Sequence, residues 1–287
     1  MRENLFKRLV LGSKAGLIAG VAYGILLQFL VTPMILKAEV FETNANVSSA
    51  SANTTTSAKT HSHSHVDGKK HHHHSAVVSN EGSDSSQNIQ DENFETLKRN
   101  VWTWIGCLLL GLAFGVLSAI GYSSLEFTNI LTFEWIESVW KPSLLISGIG
   151  FIVFYAIPSL GLPLQLPGVA GSEEDFELRQ AWWLQSIFLS SAALTFWFWI
   201  RNRFFKGRIS SAIAFVFLLG ILFAFLFWIP GVPKHSTTTS VPNDLLVEFR
   251  IKSAIANFFL WSTIGFLISN SIAKNREVPF PLETRKV

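Results

Sequence analysis

Six runs of apolar residues, each long enough to cross the hydrocarbon core of a bilayer, leave this chain little choice of architecture. They are Leu9 to Met34, Val101 to Tyr122, Pro142 to Leu160, Ala181 to Ile200, Ile209 to Ile229 and Ser253 to Ile272. A core about 30 Å thick needs roughly 20 helical residues. Lipid gives the backbone no hydrogen-bond partner, so runs of this kind close their hydrogen bonds internally, as helices. The composition agrees, with 49% hydrophobic and only 15% charged residues among 287 and a mean hydropathy of +0.34. The fold class expected is all-α, a polytopic membrane protein with six transmembrane helices and a long disordered outer loop. Residues 1–36 hold the N-terminus and first span, 37–98 the loop, 99–272 a five-helix bundle and 273–287 a tail.

The first run begins with basic residues but is too long for the apolar part of a signal peptide and has no small-residue cleavage site close behind it, so it reads as a retained span. Gly12, Gly16, Gly20 and Gly24 recur every four residues along it. That bare stripe lets another helix approach closely, and Gly111 and Gly115 repeat the device in the second span. Orientation follows from the basic residues at the span ends. Arg2, Lys7, Arg8 and Lys14, then Arg201, Arg203, Lys206 and Arg208, then Lys274, Arg276, Arg285 and Lys286 mark one side as cytoplasmic, with both termini on it; Lys98, Arg99, Arg250 and Lys252 count the other way. The net charge of +3 is explained by this topology and does not imply nucleic acid.

Within the spans, charge is nearly absent apart from Lys14, which can snorkel. Gln28, Gln185 and Asn257 are the polar residues at depth, read as interhelical hydrogen bonders with a role in an ion path as the alternative. Pro33, Pro158 and Pro230 sit at the outer ends of three spans, where a proline breaks or kinks a helix without stranding backbone in lipid. The returning spans open on similar clusters: Phe94-Glu95 with Lys98 and Arg99, Phe176-Glu177 with Arg179, and Glu248-Phe249-Arg250. A helical hairpin used three times is one reading of this, and ordinary interfacial residues are the other.

The polar segment between the first two spans carries the chemistry. His61, His63 and His65 are followed by His71, His72, His73 and His74, seven of the eight histidines in the chain. An imidazole near pKa 6.5 keeps a free lone pair on most copies at neutral pH and suits divalent first-row metals. In extended backbone, residues two apart project to one side, so His61, His63 and His65 can converge on one ion. The rest of 43–93 is Ser, Thr and Asn with almost no aromatics, the composition of a flexible tether; a solvated low-complexity stretch is the plainer reading of the same residues. Asn46-Val47-Ser48 and Asn53-Thr54-Thr55 fit the glycosylation acceptor pattern, a weak signal here. Cys107 is the only cysteine and Met1 and Met34 the only methionines, which excludes a thiolate cluster and argues against soft Cu(I) sites. Carboxylates gather just outside the spans: Glu39 and Glu42, then Glu173, Glu174, Asp175 and Glu177, then Asp244 and Glu248 beside His235. A ring of such groups concentrates cations at a pore mouth. Each of them can equally pair with Lys98, Arg99, Arg179 or Arg250.

Three stretches together resemble one family. Gln28-Phe29-Leu30-Val31-Thr32-Pro33-Met34-Ile35-Leu36-Lys37-Ala38-Glu39-Val40-Phe41-Glu42, running into a histidine-rich loop, is similar to the start of the CbtA family of cobalt transporter subunits. Leu162-Pro163-Leu164-Gln165-Leu166-Pro167-Gly168 with Arg179-Gln180-Ala181-Trp182-Trp183, and Gly231-Val232-Pro233-Lys234-His235 with Val241-Pro242-Asn243-Asp244-Leu245, resemble its later outer segments. The family usually has a Pro-His pair where Lys234 here separates Pro233 from His235. The resemblance implies a multi-span protein that moves cobalt inward for cobalamin synthesis beside a small single-span, histidine-bearing partner of the CbtB type. Cobalt comes from the resemblance alone: nitrogen and oxygen sites bind Cu(II), Ni(II) and Zn(II) more tightly than Co(II), so a flexible histidine loop collects ions without selecting among them.

The function expected is a divalent-metal permease with Co2+ as favoured cargo and Ni2+ or Zn2+ as alternatives. The metal residues named for it are the seven loop histidines, His235, Glu39, Glu42 and Asp244; a homo-oligomer is compatible. The competing reading is an external receptor or buffer that hands metal to another transporter. An enzyme fits less well, because no HExxH spacing fixes ligands on a helix, and no GxxxxGK[ST] loop is present to bind ATP.

Overall fold

The computed structural model describes residues 2–41, 85–127, 130–131, 138–166, 173–204, 216, 218–224 and 241–275. Among them the chain is helical apart from short connecting pieces and contains no strand. In chain order the helices are α1 (Arg2–Leu26), α2 (32–41), α3 (Ser85–Phe127), α4 (Trp140–Phe151), α5 (Ile157–Gly161), α6 (Glu173–Phe204), α7 (218–224) and α8 (Asn243–Lys274). Turns of π-helix at Leu27–Val31 and Ile152–Ala156 join α1 to α2 and α4 to α5. Among the described residues, five stretches are long and apolar enough to cross a membrane: Leu5–Phe41, Thr96–Phe127, Trp140–Gly161, Phe176–Arg201 and Asn243–Lys274. The apolar run Ile209 to Ile229 lies mostly outside the described residues. Its described part, α7, packs Leu222 with Ile157 and Trp182.

The glycine stripe does what its spacing implies. A Cβ added at Gly12 would lie 2.5 Å from the Gly115 carbonyl oxygen and 2.6 Å from Ala119 Cβ, and one added at Gly16 would strike the Gly111 carbonyl. Gly20 abuts the Cys107 carbonyl in the same way, at 2.6 Å. Backbone therefore touches backbone along the α1–α3 seam, a contact that only residues without side chains permit. An ion pair at each end pins the seam: Arg8 to Glu126 at 2.5 Å where α3 finishes, and Arg99 to Glu39 at 2.9 Å where it approaches α2. The α4–α8 seam works by size matching. Gly150 makes room for the Trp261 ring, and Gly265 lies against Ser147 and the Ser143 carbonyl.

The first helix runs past Pro33 to residue 41, and α3 starts at Ser85, so residues 37–41 and 85–98, within the segment read as a loop, are helical. The proline is accommodated because a π turn ends two residues before it, and the same offset separates the second π turn from Pro158. A proline cannot donate to the carbonyl four residues back. For Pro158 that carbonyl belongs to Phe154, and the Trp183 indole N–H donates to it at 3.4 Å; Trp182 donates to the Pro158 carbonyl at 2.9 Å. Helix α2 persists because it has something to bury. Met34 and Ala38 are shielded with Val31, Leu166, Val241, Leu245, Leu246 and Phe249 in one cluster. The extension at 85–98 carries good helix formers such as Gln90, Glu92, Glu95 and Lys98, and a nucleated span propagates readily into them. Residues 42–84, with the histidines expected to hang in a tether, lie outside the described residues, as does Pro230.

Candidate metal-handling site

Helix α2 ends and α3 begins at one end of the bundle, which is therefore the end from which residues 42–84 depart. Of the eleven metal residues the sequence suggests, two fall among the described ones, Glu39 and Asp244. His61, His63, His65, His71, His72, His73, His74, His235 and Glu42 lie outside. Glu39 belongs to the last turns of α2 and Asp244 to the first turn of α8. Their neighbours Ala38 and Leu245 are buried in the same cluster, so the two carboxylates rise from the rim of one apolar plug.

Both have local work. Glu39 is half-buried and accepts the Arg99 guanidinium at 2.9 Å, the pairing that the sequence offered as the alternative to a cation-attracting ring. Asp244 places a negative charge in the first turn of α8, where the unbonded N–H groups and the helix dipole favour one. One turn on, the carboxylate of Glu248 is paired with Lys252 at 2.6 Å, and the Lys252 ammonium lies 4.0 Å from the Met34 sulfur. Among the described residues, no three of His, Cys, Asp and Glu stand close enough together to hold a metal ion.

Sequence reading missed a further feature of this end. Between α5 and α6 the chain leaves the helix at an extended Leu162 and continues without regular secondary structure to Leu166, and two arginines from different helices hold it. Arg179 of α6 donates to the Pro163 carbonyl at 3.2 Å, and Arg250 of α8 donates through Nε to the Leu164 carbonyl at 3.1 Å. Extended backbone beside a bilayer needs such donors, because its carbonyls have none of their own. Leu166 then drops fully buried into the cluster shared by α2 and α8. The recurrence of an arginine at the start of each returning span was visible in the sequence. What it binds was not, since Arg99 meets a carboxylate whereas Arg179 and Arg250 meet backbone.

Deeper in the bundle, of the three polar residues read as interhelical hydrogen bonders, Gln28, Gln185 and Asn257, the bond seen among the described residues is that of Asn257. Asn257 Nδ2 donates to the Tyr23 hydroxyl at 3.4 Å and to the Ser253 carbonyl at 3.0 Å, joining α8 to α1. One turn further along α8, Trp261 packs with Phe114 and Phe154 at ring-centre distances of 4.7 and 5.3 Å. Trp261 and Phe154 of this group line a mostly apolar cavity of about 680 Å³ between α3, α4, α6 and α8.

No curated protein and no solved structure matches the chain. A family sequence model does, over residues 6–272, from the first turns of α1 to the end of α8; its family is described as probable cobalt transporter subunit, CbtA. That match takes in all five apolar helices and both ends of the bundle, so the chain belongs to the CbtA family of probable cobalt transporter subunits.

Proposed function

We propose that this chain is the membrane-embedded part of a permease that imports a divalent transition metal, with cobalt as the favoured cargo, destined for cobalamin synthesis. The family match along the whole helical bundle carries the reading. The seven clustered histidines add a means of capture, because neutral imidazoles gather such ions from dilute solution. On this reading both termini are cytoplasmic and residues 42–84 face outward. The loop collects, and ions pass to the mouth near Glu39, Glu42, Asp244 and His235, where geometry selects. A double charge moving inward through 100 mV gains about 4.6 kcal/mol, twice the single-charge value, so the membrane potential suffices to drive entry. A small single-span partner and further copies of the chain fit beside the exposed apolar faces of the helices.

Uptake of isotopic cobalt by cells expressing the protein, alone and with a candidate partner, tests this. Accumulation well above the empty-vector level is expected, and deletion of 60–75 should weaken apparent affinity while leaving the maximal rate. If wild-type expression changes neither cobalt, nickel nor zinc content, the permease reading is wrong. If deletion abolishes uptake outright, the loop is the functional element and the receptor reading gains.

A further inference from the structure

Three helices line the cavity at one depth. Helix α3 does so from Leu117 to Leu125, α4 from Ile146 to Phe154 and α6 from Ser191 to Trp199. Each stretch rises about 12 Å at 1.5 Å per residue, and together they lie toward the end of the bundle at which α3 and α6 finish. Ile146 and Val153 are buried and form the floor with Trp261. Leu117 and Ile120 of α3 and Trp199 of α6 line the same space yet are each more than two-fifths exposed, which marks the mouth. The cavity is therefore a cleft, floored by α4 and α8 and open between α3 and α6. Helix α6 is the least buried of the five apolar stretches.

Little in the cleft is polar. The Ser124 hydroxyl donates to the Ile120 carbonyl at 3.0 Å and the Thr195 hydroxyl to the Ser191 carbonyl at 2.8 Å, both within their own helices. Apart from Ser118 and Ser191, the remaining side chains are aliphatic or aromatic, with Gly121 and Gly150 between them. Water does not fill an apolar space of this kind, and a void of about 680 Å³ is far larger than packed interiors tolerate. The lining residues belong to helices of membrane-crossing length, where the filler at hand is hydrocarbon. Depth separates its sources. A partner's transmembrane helix needs a groove across the whole core of about 30 Å, whereas a cleft of about 12 Å matches the reach of an acyl chain from one leaflet. Charge at the same end supplies a place for the headgroup. Arg201 is exposed two residues beyond Trp199 and opens the sequence Arg201-Asn202-Arg203-Phe204-Phe205-Lys206-Gly207-Arg208, which has four cations and no acid. Basic residues at the end of a span attract anionic lipid headgroups, and a tryptophan in the position of Trp199 favours the headgroup level.

We propose that the cleft seats one acyl chain of an anionic phospholipid from the leaflet beside the last turns of α6, with the phosphate held at Arg201. The lipid is a structural ligand. It closes the wedge between α3 and α6 that the described residues leave unfilled, and it ties the open face of α6 to the bundle. This role is independent of which ion the protein moves.

Gly121 provides the perturbation. A Cβ there meets nothing within 4 Å and the residue lines the cleft, so a large side chain takes the lipid's place without striking protein. Gly148 is equally unobstructed but does not line the cleft. The full-length protein, stripped of lipid in detergent, is titrated with phosphatidylglycerol or phosphatidylcholine, and bound lipids are counted by native mass spectrometry. One phosphatidylglycerol should bind per chain, at least tenfold more tightly than phosphatidylcholine. Gly121→Trp should weaken that binding at least tenfold and Gly148→Trp less than twofold, while Arg201→Gln should bring phosphatidylglycerol down to the phosphatidylcholine level. In liposomes, phosphatidylglycerol bearing a diazirine in mid-chain should label the wild-type protein within 117–125, 146–154 or 191–199, and excess unlabelled phosphatidylglycerol should remove that label; this measurement holds even if Gly121→Trp fails to fold. Equal binding by Gly121→Trp and wild type, no preference between the two lipids, or cleft labelling that the competitor leaves unchanged would overturn the proposal. A second polypeptide retained in place of the lipid in the same mass spectra would overturn it too, and assign the cleft to a partner helix.

Discussion

Replacing Gly16 by alanine should unfold part of the α1–α3 seam, while the same change at Gly106 should not. At Gly16 the new methyl would overlap the Gly111 carbonyl, and at neighbouring Gly12 it would lie 2.5 Å from the Gly115 oxygen, where non-bonded atoms prefer about 3.5–4.0 Å. Relief requires the two helices to part by roughly 1 Å, and a gap of 0.5–1 Å already forfeits a quarter to a half of each dispersion contact. Carbonyl oxygens, unlike the tips of side chains, cannot turn away. Overpacking of this kind costs about 1–3 kcal/mol, and Gly16→Leu should cost more. Gly106 and Gly148 have nothing within 4 Å of an added Cβ, so alanine there meets no obstacle and gains up to about 1 kcal/mol of helix propensity. Reversible unfolding in mixed micelles, followed by circular dichroism, measures both. The sign should differ between the seam and the control positions, and Gly16→Ala with Gly111→Ala should cost less than the sum, because one separation relieves both overlaps. Equal shifts at Gly16 and Gly106 would refute the close-contact argument.

Other expectations follow from the same geometry. Trp182→Phe removes the donor to the Pro158 carbonyl in a buried setting and should cost about 1–3 kcal/mol in the same assay, whereas Trp183→Phe, more exposed and with a longer bond, should cost under about 1 kcal/mol. Arg99→Ala breaks an ion pair whose partners are both more than two-fifths exposed, so its stability cost should stay below about 1 kcal/mol. If Glu39 takes part in metal handling, removing the competing Arg99 guanidinium should also raise apparent cobalt affinity in uptake assays; an unchanged affinity argues against that role. Metal binding to a peptide of residues 60–75 should be full at neutral pH and fall steeply below about pH 6, because protons and metal compete for the same imidazole lone pair. Titration calorimetry at a series of pH values measures this, and flat affinity down to pH 5 would exclude imidazole as the ligand.

The membrane architecture was legible from residues alone because lipid imposes a single rule, closed backbone hydrogen bonds over a fixed thickness, and that rule writes itself as uninterrupted apolar runs. Legible too was the close seam, since a glycine every fourth residue marks one ridge of a helix whatever it packs against. The partner of that ridge took the fold to fix, and Gly111 and Gly115 proved to be the residues facing it. Chemistry local to one segment, the histidine cluster, needs no fold to be recognised. Chemistry assembled from distant segments does. Nothing in the order of residues says that Arg179 and Arg250 would converge on two successive carbonyls of Leu162–Leu166, that Glu39 would go to Arg99, or that a π turn would carry α1 past Pro33. These depend on which helix ends meet in space, and sequence spacing determines neighbours along a helix but not across a bundle. The same holds for Trp261, undistinguished as one of ten tryptophans until packing sets it beside Phe114 and Phe154 on the floor of an apolar cavity.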